Sequence, residues 1–273
     1  LLKKSVITLS NSINKKRILL FGVGWLGKEL VHSLFDDGYI LHVVTRDNSK
    51  WSNLDAKINQ IHVYTDTNEL DPSIKNVSFD LVCVMLPPSS FDGYAEVIKW
   101  ICKQTQEVKH FIYTSSTSVY KNHDGVVNEE SKVDEQTTVY KAEQEIKKAF
   151  PNRFTILRLS GLISEDRHPT KYLLRKEMIN EGSSPVNLVH RKDVIRAIQT
   201  LMRMNGSGEV FNLSYPDHPS RKEYYGAFAK KYFGQTLCFI DDGNGKTIDG
   251  SKFAMKYEYK YEMSIWDVEI NNI

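Results

Sequence analysis

Three closely spaced glycines give the clearest indication of chemistry in this sequence. The segment "GVGWLG" (22–27) follows the apolar run 17–21, and a helical hydrophobic period begins inside it. A first glycine permits a tight turn, a second lets a diphosphate approach the backbone, and a third lets the helix pack on the strand. The helix N-terminus then attracts the phosphates. The pattern predicts a dinucleotide site, and the alternative is a plain strand-to-helix turn. The predicted contacts are Gly22, Gly24, Trp25, Leu26 and Gly27.

The end of the second predicted strand bears on which dinucleotide binds. That strand ends "VVTRDNSK" (43–50), which places Arg46 where an acidic residue would bind the 2′-hydroxyl of NAD. Arginine there suits the 2′-phosphate of NADP instead. Lys50 could assist Arg46 in binding the 2′-phosphate, whereas Asp47, one residue further on, weakens the distinction between NADP and NAD. We therefore expect NADP in preference to NAD, and the alternative for Arg46 is an ordinary surface arginine.

The hydrophobic pattern predicts the elements that must position these groups. Apolar runs alternate with segments of helical period through the first 116 residues. The predicted strands cover 17–21, 40–46, 58–64, 79–86 and 108–116, and the predicted helices run from Leu26 to Gly38 and over 94–106. This alternation implies a parallel, doubly wound sheet. Leu86 and Pro87 follow the fourth strand, so we expect them to contact the cofactor at the carboxyl edge of that sheet.

The alternation loosens after about residue 150. We expect a strand over 153–162 that leaves the sheet. Further on, the pattern predicts helices over 170–180, 191–204 and 221–234, a strand over 208–214, and a polar, glycine-rich loop over 241–252. These segments favour a smaller second part rather than a continuation of the sheet.

Five segments, "FGVGWLG", "FIYTSSTSVY", "ILRLSGLISEDRHP", "NLVHRKDVIRAI" and "GEVFNLS", run nearly from end to end of the chain. Together they resemble extended or atypical short-chain dehydrogenases/reductases of the NAD-dependent epimerase/dehydratase type. Within that superfamily the chain is most similar to a short bacterial branch of sugar-nucleotide epimerase-like proteins. The resemblance implies a Rossmann-type doubly wound parallel sheet with a small C-terminal α/β substrate-binding part. We place the dinucleotide-binding domain at 1–160, joined by segments around 186–213, and the interleaved substrate-binding part at 161–273.

The resemblance also implies a catalytic hydroxyl at the end of the fifth strand. In the family, a serine or threonine four residues before the tyrosine of "SVY" binds the substrate oxygen. Tyr120 is that tyrosine, so Ser116 takes the position, with Ser115, Thr117 and Ser118 as near alternatives. The non-catalytic interpretation is a hydroxyl-rich strand end that satisfies backbone groups.

Tyr140 falls about where the family places its acid/base tyrosine when the count runs forward from "NEES" (128–131). A free phenol has a pKa of about 10, and the family lowers it with the charge of a lysine four residues later. Gln144 stands there instead. Counted back from "AEQEI", Glu135 takes the tyrosine position and Val139 the lysine position. The lysine is missing under either count, so Tyr140 is an acid/base, a residue that flanks the cleft, or a residue that packs the first turn of its helix.

Two functional hypotheses follow from the resemblance. The first is an NADP-dependent oxidoreductase or epimerase that acts on a small hydroxyl or carbonyl substrate, a nucleotide sugar being one candidate. Arg167 and His168, in the loop "SGLISEDRHPTKYL", could face an anionic or hydroxylated substrate or belong to a solvated loop. The missing lysine favours the second hypothesis, a catalytically weak or inactive NADP-binding sensor or scaffold protein.

Length and composition exclude several other classes. The chain has 273 residues, is 41% hydrophobic and 26% charged, and carries a net charge of +2, which argues against a nucleic-acid partner. Its longest apolar runs are of strand length, so we expect no membrane span. The histidines and the three cysteines show no metal spacing, and well-separated cysteines indicate reduced thiols. We expect a cytoplasmic protein with a small-molecule substrate and, from the resemblance, a homodimer.

Overall fold

The computed structural model describes residues 15–34, 37–46, 58–63, 74, 77–120 and 124–270. Strands β1 to β11 are Arg17–Phe21, Ile40–Thr45, Gln60–Val63, Leu81–Val84, His110–Ser116, Gly125–Val127, Phe154–Leu159, Gly161–Ile163, Leu188–His190, Glu209–Leu213 and Lys246–Ile248. Helices α1 to α7 are Trp25–Leu34, Tyr94–Gln104, Thr138–Ala149, Thr170–Leu173, Arg191–Met202, Arg221–Phe233 and Ser251–Tyr257. Strands and helices alternate regularly through the first 116 residues and less regularly after about residue 150, in agreement with the sequence pattern.

A parallel sheet of seven strands occupies the centre of the molecule. Its order is β10-β7-β5-β4-β1-β2-β3. The chain proceeds outward from β1 in one direction through β2 and β3 and then returns to β4 on the other side, which creates a crevice at the carboxyl ends of β1 and β4. This confirms the predicted Rossmann-type, doubly wound sheet.

One strand prediction is wrong. The segment 153–162 does not leave the sheet, because Phe154–Leu159 pairs in parallel with β5 on one side and β10 on the other. Only the following residues, Gly161–Ile163, depart to form a separate two-stranded sheet with β9. The central sheet therefore extends two strands beyond β5.

Helices cover both faces of this sheet through the apolar faces that their sequences predict. Leu30 of α1, Ile198 of α5 and Phe253 of α7 belong to the core on one face. Ile98 of α2 and Ile146 of α3 belong to the core on the other. Each such side chain contributes about 1.5–3 kcal/mol when fully buried. No helix within the described ranges is long and apolar enough to cross a membrane.

The second half of the chain differs from the sequence-based expectation at two further places. The helix expected over 170–180 covers only Thr170–Leu173, and Ile179 instead forms a bridge with Phe239. The polar segment 241–252 is not only a loop, because Lys246–Ile248 pairs with β6 and α7 begins at Ser251. In both cases a partner distant in the sequence decides the conformation.

Candidate cofactor-binding site

A cavity of about 930 Å³ opens at the carboxyl ends of five adjacent strands. Ligands of doubly wound folds bind at this edge. The lining includes Gly22–Leu26 after β1, Thr45 and Arg46 at the end of β2, Met85–Pro88 after β4, Thr114–Ser116 of β5, Leu159 and Ser160 at the end of β7, and Arg167. The cavity therefore brings together most of the residues that the sequence predicts for cofactor and substrate.

The first turn of the cavity requires glycine at position 22. Gly22 has φ +81°, a conformation that L side chains rarely adopt. A Cβ there would lie 2.6 Å from the carbonyl carbon of Met85 and 2.7 Å from the amide nitrogen of Leu86. The turn after β1 consequently packs directly against the backbone that follows β4.

Gly24 and Gly27 serve different purposes. A Cβ at Gly24 would meet no atom within 4 Å, so this part of the turn faces open space in front of α1. That space, beside a helix N-terminus, fits a diphosphate. A Cβ at Gly27 would lie 2.8 Å from the carbonyl oxygen of Gly22, and Gly27 does not line the cavity. Gly27 thus lets helix and turn pack closely and does not itself contact the cavity.

Arg46 lies at the β2 end of the cavity, where the sequence predicts it. Its guanidinium carbon lies 4.6 Å from the centroid of the Phe91 ring, and Nη1 donates to the carbonyl oxygen of Ser90 at 3.4 Å. The side chain remains exposed, so its other donors are open to a ligand. Asp47 and Lys50 lie outside the described residues.

Trp25 connects the glycine turn to the loop between β8 and α4. Its indole Nε1 donates to Asp166 Oδ2 at 3.0 Å, and Asp166 also accepts from Ser164. Burial opposes ionisation of Asp166, but the hydrogen bonds from Ser164 and Trp25 and the charge of Arg191 outweigh burial and lower its pKa. The guanidinium carbon of Arg167 lies 4.9 Å from the Trp25 ring centroid. The loop that carries Arg167 is thereby held against the start of α1.

Two serines supply hydroxyls at the opposite end of the cavity from Arg46. Ser116 lines the cavity as predicted, and its Oγ accepts from the amide of Ser118 at 3.1 Å. Ser160 also lines it, is 4% exposed, and its Oγ has no hydrogen-bond partner among the residues that the structure describes. A buried hydroxyl without a partner is a group that a ligand can satisfy. The sequence does not single out Ser160, because it predicts a strand over 153–162 that leaves the sheet, whereas β7 ends inside the sheet at Leu159.

The structure does not bring Tyr140 to the cavity. Its amide donates to the Thr137 hydroxyl at the start of α3, and its ring packs on the cluster that contains Val139. Tyr140 is absent from the lining, and Gln144, one turn further on, is exposed. On the alternative count, Glu135 is exposed as well. The acid/base role of Tyr140 stays a prediction, and this packing does not favour it.

The predicted substrate contact by His168 is wrong. His168 is 1% exposed, its ring stacks on Phe228 at 4.3 Å, and Nε2 lies 3.0 Å from the Tyr224 hydroxyl. Burial lowers the pKa of His168 to about 4, so it stays neutral inside this aromatic cluster. Of the two candidates in this loop, only Arg167 lines the cavity.

Residues 22–204 match the family model described as NAD(P)H-binding. The chain belongs to this NAD(P)H-binding family. The match covers the glycine turn, the β2 end and both serine-bearing strand ends. NAD(P) is therefore the cofactor class of this domain.

A curated relative covers most of the chain, and solved structures share its fold. The chain is 29% identical over 268 residues to Protein YeeZ of Escherichia coli strain K12. The alignment covers 90% of this chain and 96% of the relative. UDP-glucuronic acid 4-epimerase from Bacillus cereus, solved with NAD, shares the fold with a TM-score of 0.76, at 19% identity and coverage of 92% and 95%. dTDP-glucose 4,6-dehydratase from Bacillus anthracis, also solved with NAD, shares the fold with a TM-score of 0.74. It is 15% identical, and the match covers 92% of this chain and 93% of that one.

Proposed function

We propose that this member of the NAD(P)H-binding family binds NADP(H) in the cavity and is an oxidoreductase or epimerase of a small hydroxyl or carbonyl substrate. The observation that carries the proposal is the glycine turn. Gly22 is fixed against the backbone of Met85, while Gly24 leaves open space before the N-terminus of α1. A diphosphate fits that space, and the cavity extends from it in both directions along the sheet edge.

The cofactor would lie across the strand ends in one orientation. Gly24, Trp25 and Leu26 would present backbone amides to the diphosphate. Arg46 would bind the 2′-phosphate of the adenosine ribose, which is the basis for preferring NADP over NAD. Leu86 and Pro87 would form the wall beside the nicotinamide half, since they line the cavity after β4.

The serine end of the cavity is where a substrate would meet the nicotinamide. When bound, the cofactor supplies hydride exchange at C4 of its ring. Ser116 and Ser160 would donate hydrogen bonds to the substrate oxygen and hold its carbon in reach of that ring. Their strands are adjacent, because Ser116 pairs with Leu159, the residue before Ser160. A nucleotide sugar is a candidate substrate, because the two structural neighbours are named for UDP-glucuronic acid and dTDP-glucose.

The position of Tyr140 favours a second candidate, an NADP-binding sensor or scaffold protein without turnover. In the short-chain dehydrogenases/reductases that the chain resembles, a tyrosine exchanges the proton and the charge of a lysine four residues later lowers the pKa of that tyrosine. Here Tyr140 lies outside the cavity lining, and Gln144 replaces the lysine. Such a protein would keep the cofactor site and lack the proton relay.

Turnover assays with the purified chain distinguish the two candidates. NADPH consumption would be measured against aldehydes, ketones and keto-sugars, and nucleotide sugars would be examined by NMR for epimer formation. The enzyme proposal expects activity with at least one substrate, and a loss of about tenfold to hundredfold in kcat for Ser116→Ala. Saturable NADPH binding with no turnover across the panel would favour the sensor. Full activity in Tyr140→Phe would remove this tyrosine from the proton transfer.

A further inference from the structure

Arg167 brings a positive charge to the phosphate end of the cavity. It lies on the loop between β8 and α4, which belongs to the substrate-side part of the sequence. Its guanidinium carbon nevertheless lies 4.9 Å from the ring centroid of Trp25, and both residues line the cavity. Trp25 is the first residue of α1, whose N-terminus faces the open space at Gly24. Arg167 is therefore a neighbour of the diphosphate position rather than of the serine end.

The loop that carries Arg167 is fixed in this place by Asp166. The carboxylate of Asp166 accepts from Trp25 Nε1 at 3.0 Å, from Arg191 Nη1 at 3.3 Å and from the Ser164 hydroxyl. Arg191, the first residue of α5, also places its guanidinium carbon 4.4 Å from the Trp25 ring centroid. The backbones of Ser164 and Arg167 exchange two hydrogen bonds, 2.9 and 3.1 Å long, which closes the loop.

The two arginines on Trp25 differ in how their charges are neutralised. Arg191 pairs with Asp166 at 3.3 Å and with Glu29 at 3.8 Å. Arg167 forms an ion pair with no carboxylate of the residues that the structure describes. Its charge is therefore available to an anion in the cavity, whereas the charge of Arg191 is already matched.

We propose that Arg167 binds the diphosphate of the dinucleotide and that Trp25 orients its guanidinium for this contact. The inference rests on the proposed cofactor site. A planar guanidinium can donate two parallel hydrogen bonds to phosphate oxygens, and an indole beneath it restricts its orientation. The diphosphate then lies between the amides of the glycine turn and the guanidinium of the loop. Cofactor binding consequently fastens the substrate-side loop to the nucleotide-binding part.

The test compares two ligands that both occupy the Arg46 end of the cavity, of which only one reaches the diphosphate position. NADPH carries the diphosphate, whereas adenosine 2′-monophosphate carries the adenosine and the phosphate expected at Arg46 but no diphosphate. We expect Arg167→Gln to weaken NADPH binding about tenfold or more, the range for a charge-assisted hydrogen bond. The inhibition constant of adenosine 2′-monophosphate, from competition against NADPH, should stay unchanged. Arg167→Lys, which keeps the charge but not the fork, should fall between wild type and Arg167→Gln.

Arg175→Gln is the matched control, because it removes the same charge from an exposed arginine eight positions away that does not line the cavity. It should bind both ligands as the wild type does. The inference is overturned if Arg167→Gln binds NADPH like Arg175→Gln, or if it loses NADPH and adenosine 2′-monophosphate equally. Failure of the wild-type chain to bind NADPH at all would instead refute the proposed cofactor site itself.

Discussion

Arg158 binds the carboxylate of Glu143 through two hydrogen bonds, 3.0 Å from Nε to Oε1 and 2.7 Å from Nη2 to Oε2. Both side chains are buried, at 3% and 0% exposure. Ser115 donates to the same Oε1 at 2.6 Å, and Arg158 Nη1 donates to the Tyr120 hydroxyl at 3.0 Å. The pair thus joins α3, β7 and the end of β5, directly behind Ser116.

Removal of one partner of this pair should destabilise the whole fold. Glu143→Gln leaves the Arg158 charge buried without a counter-charge, and the expected loss is about 3–5 kcal/mol in the free energy of unfolding. Urea unfolding followed by circular dichroism measures it. Glu145→Gln, on the same helix and in no ion pair with another described residue, should change the stability by less than about 0.5 kcal/mol. Equal losses in the two variants would contradict the account of the buried pair.

The two glycines of the first turn should respond differently to alanine. Gly22→Ala meets the Met85 backbone and a positive φ, so it should lower the free energy of unfolding by about 1–3 kcal/mol or more. Gly24→Ala has room for its Cβ in the unliganded protein, so its melting temperature should match that of the wild type. Because that methyl group occupies the space assigned to the diphosphate, NADPH should raise the melting temperature of the wild type but not of Gly24→Ala. An undiminished NADPH shift in Gly24→Ala would contradict this assignment.

Arg46 should decide between the two dinucleotides. Its guanidinium would contact the 2′-phosphate, which NADH lacks. Arg46→Gln should therefore weaken NADPH binding about tenfold or more and leave NADH binding nearly unchanged. Fluorescence titration of both nucleotides measures the ratio of affinities. A wild-type chain that binds NADH as tightly as NADPH would overturn the stated preference while leaving the site intact.

His168 should make stability dependent on pH. Burial lowers its pKa to about 4 in the folded chain, whereas an unfolded histidine titrates near 6.5. Between these two pKa values only the unfolded state takes up the proton. The contribution of His168 to the free energy of unfolding is therefore complete above pH 6.5 and declines as the pH falls toward 4. The slope amounts to about 1.4 kcal/mol per pH unit for one proton.

The variant His168→Phe keeps the ring stack on Phe228 and removes the titrating group. Tyr224 donates to the carbonyl oxygen of Ile265 at 2.9 Å, and we expect the variant to keep that hydrogen bond. The free energy of unfolding, measured from pH 7.5 down to 4.5, should then fall less steeply in the variant than in the wild type. The two slopes should differ by about 1.4 kcal/mol per pH unit, the value for one proton. Parallel pH profiles for the variant and the wild type would show that His168 titrates normally in the folded protein.

The first half of the fold and the phosphate turn could be predicted because their signals are local. An apolar run, three glycines and an amphipathic helix occur within 18 residues, from Arg17 to Leu34. The preference of this fold for ligands at strand ends then places Arg46, Leu86 and Ser116 at one edge. In the structure these three residues line one cavity, while their roles toward a ligand stay predictions.

The rest depends on contacts between residues far apart in the sequence. His168 is buried by Tyr224, 56 positions later, and Trp25 meets Asp166 over a separation of 141. No local sequence pattern predicts either contact. Ser160 lines the cavity because β7 lies inside the central sheet, a pairing that the sequence does not predict.

Calorimetric titration of the purified wild-type chain with NADPH and with NADH tests the central claim most directly, since every assignment of the cavity requires a dinucleotide there. We predict one NADPH bound per chain, with higher affinity than NADH. Absence of binding heat for both nucleotides at millimolar concentration, in a chain shown by circular dichroism to be folded, would contradict the proposed function.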